Sequence, residues 1–480
     1  MYESELLKRY RPLFYPESIA IIGASRDTQK RSNLWIRRLT ECGYKGKIFP
    51  IGSGKGSIHG HELYNNINDT PSIIDYANVF ISREALPAFM KDLSPGKVRF
   101  MSFFTAGFSE YGDSRGIELE QLLLNAAKEK DFHIIGPNCI GVYNPALNIP
   151  YGPAGIIGKG GHTGFISQSG SVGAKLVETG IARGIGYSKG ISYGNGIDLD
   201  STDFLEYMAV DPEIEVIGAY LEGTRKGRDF VRTMKLVTGQ KPVVIWKGGR
   251  TDAGASTAMS HTGSIASPAA NWSAVLKQSG AIEVHSIEEL TDILLIFQQL
   301  KRWNGSGIAL IGGFVDGGGG ICVSATDTFA DYGLHIPSFC TETQNQLGDL
   351  LGSVVNIMRN PVDLAAQGSN ILLLRKALQA VIDDPSVDML VAQQDMGILM
   401  LTLSPETIEA INDTLINLRI EQHKPIVAVM PPGLHETLRQ TIEDRLSENG
   451  IPVFSSLERA ARAIRHINKY SLSHRGNKAD

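Results

Sequence analysis

Beyond about position 150 the chain says the same thing twice. One copy opens with a strand and a glycine-rich turn, HTGFISQSGSVGAKLVETG, and the other with GIALIGGFVDGGGGICVSATDTFADYG. Each continues with an Asp-Pro and a strand, DPEIEVIGAYLEG and DPSVDMLVAQQDMG, then QKPVVIWKGG and HKPIVAVMPPG. Each closes with a helix and a short strand, VLKQSGAIEV and RLSENGIPVF, before a last helix, SIEELTDIL and SLERAARAI. Short apolar strands alternating with helices build parallel sheets. Two similar parallel-sheet α/β domains are therefore expected, over 151–303 and 304–468. They would join near Arg302–Gly307 and be followed by a polar tail at 469–480. Between Pro and Gly of the matched elements lie 38 positions in the first copy (242 to 280) and 25 in the second (425 to 450). The 13 extra residues fall within GGRTDAGASTAMSHTGSIASPAA, a stretch rich in small residues that contains His261. An insertion on a repeated scaffold is a natural place for function.

The first 150 residues alternate in the same manner. Ser18–Ile22, Lys47–Ile51, Ala77–Ile81, Val98–Phe103 and Phe132–Ile135 are apolar runs of strand length, and a helix with Trp35, Ile36 and Leu39 ends at Gly43. Three domains suit a chain of 480 residues, at roughly 150 residues per domain. A composition that is 42% hydrophobic and 20% charged is that of a folded chain. The net charge of −5 gives no field to draw nucleic acid or anionic lipid. The N-terminus MYESELLKRYRPLFY has no apolar core of a signal peptide. No apolar run reaches the roughly 20 residues that a bilayer span needs. Cys42, Cys139, Cys322 and Cys340 are scattered without a CxxC pair, which argues against a zinc site or disulfide framework. A cytoplasmic chain is expected.

Several loops are suited to anions. The first strand ends in Gly23-Ala24-Ser25 before a helix, an arrangement that lets a phosphate approach backbone and helix N-terminus. The next strand ends in IFPIGSGKG, with Lys55 where an NAD site would carry a carboxylate. Lys55 suits a phosphorylated ribose, that of NADP or of coenzyme A. The alternative is a structural turn with a solvated lysine. Gln168, Ser169, Gly170 and Ser171 in the first repeat, and Gly317, Gly318, Gly319 and Gly320 in the second, connect strand to helix and form candidate phosphate loops. His261, one of eleven histidines, sits in the inserted stretch, read as a loop. A neutral imidazole accepts a phosphoryl group on one nitrogen while a carboxylate holds the other. Glu222 in YLEG ends a repeat strand and is the candidate carboxylate, and Asp395 is its counterpart in the second copy.

The motifs PESIAIIGASRD, TAGFSEYG, IIGPNCIGVYNP, GFISQSGSVG, LEYMAVDPEIEVIGAYLEG, MSHTGSIA and RNPVDL stand in one order over residues 10–465. Together they resemble the α-type subunits of ADP-forming acetyl-CoA synthetases and, more distantly, succinyl-CoA synthetase. The resemblance implies a Rossmann-like CoA-binding domain over 1–150, followed by two flavodoxin-like, ligase-type domains. It implies that His261 is phosphorylated in turnover, that Glu222 steadies the phosphohistidine, and that Gln168–Ser171 and Gly317–Gly320 cradle the phosphoryl group. It places Gly23, Ala24, Ser25 and Lys55, with Pro137, Asn138 and Cys139, around coenzyme A. Inorganic phosphate and a carboxylic acid or its acyl-CoA are the implied substrates. No ATP-grasp module is legible, so a separate β-type subunit is implied, with ADP/ATP and Mg on it, in a hetero-oligomer. The sequence departs from the pattern where IGSGKG replaces VNPK and where Asp316 precedes the last glycine run. A catalytically incomplete CoA-binding regulator or scaffold of the same fold is one competing reading. An NADP-dependent oxidoreductase is another, weakened by the absence of GxGxxG and by the repeat.

Overall fold

The computed structural model describes residues 2–262, 269–301, 303, 305–314, 318–351, 359–364 and 367–474. The chain forms two compact units, 1–294 and 295–480, and the first contains two large sheets.

The strands of the first sheet are β1 (Ser18–Ile22), β2 (Lys47–Ile51), β5 (Ile74–Val79), β6 (Val98–Phe103) and β7 (His133–Ile135), with a small hairpin, β3 (Ser57–Ile58) and β4 (His61–Glu62), after β2. They run parallel in the order β2-β1-β5-β6-β7. All five residues of β1 are buried, as both faces of a helix-covered parallel sheet require. The helix Arg31–Cys42 buries Trp35, Ile36 and Leu39 and stops at Gly43, whose φ is 84°. That left-handed conformation is the usual glycine C-terminus of a helix.

The second sheet consists of β8 (Gly141–Tyr143), β9 (Gly160–Ser167), β10 (Tyr187–Ser192), β11 (Val216–Leu221), β12 (Val243–Lys247) and β13 (Ile282–Val284). Its order is β13-β12-β11-β9-β10-β8, with β8 antiparallel at the edge. In the second unit β14 (Ile308–Gly312), β15 (Val362–Asp363), β16 (Met389–Gln393), β17 (Ile426–Val429) and β18 (Val453–Phe454) run in the order β15-β14-β16-β17-β18. Apart from the added edge strand, the two sheets share one strand order, so the sequence repeat is a repeat of fold. This is α/β architecture: a Rossmann-like sheet and two flavodoxin-like ones.

Three boundaries differ from the sequence expectation. The first seam falls before position 150, because β8 pairs with β10 in the second sheet. The first two sheets share a core, in which Ile135, Val142, Ile166, Ile191 and Tyr207 are all fully buried, so they form one unit and not two. The N-terminal helix Tyr2–Phe14 helps to join them: Phe14 stacks on Tyr207 at 4.4 Å between ring centroids, and Tyr10 lies 6.1 Å from Phe100. Finally, the expected polar tail from 469 is helix as far as Ser473, because Tyr470 is buried edge-on against Phe297.

Candidate functional site

Ligands of doubly wound sheets bind at the carboxyl ends of the strands, and the candidate residues gather there. After β1, Gly23 adopts a φ of 85°; a Cβ on it would stand 3.0 Å from the Ile81 side chain and 3.2 Å from the Ile81 backbone. The N–H groups of Gly23 and Ala24 both donate to Ile51 O at 2.9 Å. Glycine is thus required here by the packing of Ile81, and those two donors close the link to β2. Ser25 stiffens the turn: its Oγ accepts from Asp27 N at 3.2 Å and its carbonyl from Asn33 Nδ2 at 2.8 Å. Lys55 is exposed on the loop after β2, and its carbonyl accepts from the Arg26 guanidinium. Arg31 opens the following helix, its guanidinium 5.3 Å from the Phe104 ring centroid. Arg26 and Arg31 add positive charge that sequence reasoning missed; the legible signal was the spacing of basic residues around GASRDTQKR.

Pro137, Asn138 and Cys139 follow β7 at a cis Gly136–Pro137 bond. Asn138 N donates to Thr105 O at 3.1 Å, and Pro137 O accepts from Asn195 N at 3.0 Å, fastening the loop between the two sheets. Cys139 is buried, its thiol directed at Phe103 O and Ile135 O, and burial pushes its pKa up to about 12. It is a packing residue and no nucleophile. Between this region and the second sheet lies a cleft of about 600 Å³. Gln29, Arg31 and Leu34 line one side, and Gly170, Ser171 and Tyr151 line the other.

The loop after β9 begins with Gln168, which is buried. Its Oε1 accepts from Glu222 N at 2.7 Å, Gly223 N at 3.0 Å and the Tyr193 hydroxyl at 3.3 Å. One side-chain carbonyl therefore locks the ends of β9 and β11 and the turn after β10. Ser169 caps the helix Gly170–Ala182, its Oγ accepting from Val172 N at 3.4 Å and lying 3.2 Å from Ser171 Oγ; a serine there satisfies one of the open donors of the first turn. Gly170 stands where a Cβ would come within 2.9 Å of Ile140. Glu222, which follows β11, is buried and hydrogen-bonded to the Tyr220 hydroxyl, whose pKa rises through burial first and this carboxylate second.

The insertion is not the loop that its small residues suggested. It is helical over Asp252–Thr262, and that helix has no counterpart among the described residues after β17. Alanines at 253, 255 and 258 and the acidic Asp252 of the first turn lie in it. The alanines supply helix propensity, and the carboxylate complements the helix dipole. The backbone of His261 lies in its last turn, and its side chain lies outside the described residues. The helix rests against the one-turn helix Ser109–Tyr111 of the TAGFSEYG motif. There Glu110 and Glu120, both buried, share the Asn195 amide at 2.7 and 3.2 Å.

In the second unit Gly318 caps the helix Gly319–Asp331, which begins with Gly319 and Gly320, as a strand-to-helix anion loop would. Gly317 and Asp316 lie outside the described residues. Asp395 does not parallel Glu222: its Oδ1 caps the helix Met396–Thr402, accepting from Gly397 N at 2.9 Å and Ile398 N at 3.2 Å. That role absorbs the charge locally, so the two copies differ in chemistry where they agree in fold.

A Rossmann-like sheet and two flavodoxin-like copies with these strand-end loops make the framework of a ligase-type α/β protein. Comparison with known proteins agrees. The family described as CoA binding domain matches residues 17–145, and that described as succinyl-CoA ligase like flavodoxin domain matches 160–297. The α subunit of ADP-forming acetate–CoA ligase I from Pyrococcus furiosus is 32% identical over 473 residues, 96% of this chain and 97% of that one. ADP-forming acetate–CoA ligase I from Archaeoglobus fulgidus is also 32% identical, but this chain spans only 63% of its length. A solved structure of dinucleotide-forming acetyl-coenzyme A synthetase 1 from Ca. Korarchaeum cryptofilum, in complex with phosphate and ADP, matches with a TM-score of 0.84 at 28% identity, covering 97% of each chain. The chain belongs to the family of ADP-forming acetate–CoA ligase α subunits, a family of acid–thiol ligases.

Proposed function

We propose that this chain is the coenzyme A- and phosphohistidine-carrying subunit of an ADP-forming acyl-CoA ligase. The observation that carries the reading is the junction of Gln168, Glu222 and the helix start at Gly170, in the one copy that also bears the inserted helix ending near His261. Beside the turn after β1, Arg26 and Arg31 offer cations for the phosphates of coenzyme A. The cleft of about 600 Å³ has the apolar walls that a thioester arm needs. In the first step phosphate oxygen attacks the thioester carbonyl, and CoA leaves as its thiol. Next, one nitrogen of neutral His261 attacks the phosphorus of the acyl phosphate, and the carboxylate leaves. Glu222 accepts the hydrogen bond from the other imidazole nitrogen and offsets its growing positive charge. The phosphoryl group then passes to ADP, giving ATP. A β-type partner subunit with an ATP-grasp module and Mg supplies that nucleotide site, so the working enzyme is a hetero-oligomer. No helix among the described residues is long and apolar enough to cross a membrane.

The test is incubation of the chain with acyl-CoA and labelled inorganic phosphate. The wild-type protein should take up acid-labile, base-stable label, and His261→Ala should take up none. Label persisting on His261→Ala removes the histidine from the pathway. CoA binding without labelling, and without turnover when the β-type subunit is added, would instead identify a regulator or scaffold. Glu222→Gln should still bind CoA but hold the phosphoryl group less well; loss of CoA binding in that variant would contradict its assignment.

A further inference from the structure

Ile140 follows Cys139 directly, where the chain leaves the strand-end loop of the first sheet and enters β8 of the second. Its backbone is fixed: Ile140 N donates to Ser192 Oγ at 3.3 Å, and the next residue, Gly141, pairs with Ser192 in the register of β8 and β10. Its side chain is partly exposed and lines the cleft of about 600 Å³. A Cβ at Gly170, the first residue of the helix Gly170–Ala182, would come within 2.9 Å of Ile140 Cγ1, and one at Gly152 within 3.4 Å of Ile140 Cγ2. The alkyl side chain therefore stands in the cleft wall directly against the helix start. Tyr151 lines the same wall, and its hydroxyl is already engaged, donating to Gly170 O at 3.0 Å.

The two sides of the cleft differ in chemistry. Arg31 and Leu34 stand on one, and the helix start at Gly170 and Ser171, with Ile140 against it, stands on the other. An acyl-CoA is anionic at its phosphates, largely apolar along its arm and reactive at its thioester. The phosphates match the guanidinium side. The carbonyl that inorganic phosphate attacks belongs at the helix start, where N–H groups offset developing negative charge. The acyl chain continues past that carbonyl, and the side chain standing there is Ile140. We propose that Ile140 is a specificity-determining residue, whose bulk limits the length of the acyl group and selects a short aliphatic acid. The proposal rests on the reading of the Gly170 helix start as the phosphoryl cradle.

The test is the rate at which the full chain takes label from inorganic phosphate with acetyl-, butyryl- or hexanoyl-CoA, beside calorimetric titration of the same thioesters. A methylene gained or lost in a hydrophobic pocket changes discrimination by roughly 10–200-fold. In Ile140→Ala the butyryl-to-acetyl ratio of labelling efficiencies should rise by roughly 10-fold or more. Ile140→Val, which removes Cδ1 alone, should move the ratio the same way by a smaller factor. A damaged fold lowers both rates together and leaves the ratio where it was, so the ratio separates selection from packing. Leu34→Ala, on the Arg31 side, should weaken all the thioesters alike. A ratio unmoved in both Ile140 variants, or moved as far by Leu34→Ala, overturns the proposal. If the wild-type chain takes no label from any thioester while the ratio of their affinities follows the size of residue 140, the phosphohistidine reading falls and the size limit stands.

Discussion

Gln168 carries more than its size suggests. Three donors from two neighbouring segments converge on one side-chain oxygen, and all are buried. Gln168→Met fills the volume and strands them. The expected cost is about 1–3 kcal/mol in urea unfolding, with slower labelling of His261 because the Glu222 backbone loses its anchor. A variant as stable as wild type would show that other groups satisfy those donors. Cys139 makes the opposite point. Its place in the PNC motif suggested contact with the thiol end of coenzyme A, but its own thiol is buried and held protonated with a pKa of about 12. The thiolate is the reactive form. At pH ~8, alkylating reagents should therefore modify the partly exposed Cys340 and Cys42 ahead of Cys322, whose thiol burial pushes up to about 11, and spare Cys139. Peptide mapping after a timed iodoacetamide pulse checks the order.

At the scale of elements, glycines set how closely helices approach sheets. Gly173, in the first turns of Gly170–Ala182, leaves no room for a Cβ beneath the Tyr151 hydroxyl, which donates to Gly170 O at 3.0 Å. Gly173→Ala should push Tyr151 off the cleft wall at a cost of about 1–3 kcal/mol and weaken CoA binding in calorimetric titration. Asp384 links two other helices. It ends Ile371–Asp383 while accepting from Cys340 N, just before Thr341–Leu351, at 2.9 Å. Burial acts to raise its pKa, but hydrogen bonds from Ser386, Thr343 and Cys340 outweigh that and hold it at about 2. A depressed carboxylate stabilises the fold above its unfolded value, near ~4, and stops doing so as pH falls through the folded one. The gap in urea midpoint between wild type and Asp384→Asn should therefore be full above pH ~4 and close toward pH ~2. A gap that persists at the acid end would assign the effect to shape and not to charge.

On the scale of the molecule, the first two sheets depend on one another. Asn144 Nδ2 donates to Phe14 O at 2.8 Å, Tyr15 donates to Glu213 at 2.6 Å, and buried Lys189 bonds Asp211 and the same Glu213. A fragment ending at residue 150 keeps β8 without its partner and leaves Phe14 without Tyr207. It should bind a hydrophobic dye and give a poorly dispersed amide spectrum, whereas residues 1–294 should melt cooperatively. Native-like dispersion in the shorter fragment would refute this interdependence.

Much of this was written in the local pattern. Ser18–Ile22 and Val98–Phe103 are strands with the ends that their apolar runs set. The repeat foretold two copies of one sheet, because periodicity and turn residues act over a few positions. Glu222 and Gln168–Ser171 were legible as strand-end residues for the same reason. What the pattern could not supply was partnership between distant segments. That Gln168 grips Glu222, that Asp395 is consumed as a helix cap, and that residues 141–143 leave the first sheet for the second all depend on which chain segments pack together. Such contacts are chosen by the burial of whole faces and the pairing of buried charges, and only the folded chain decides them.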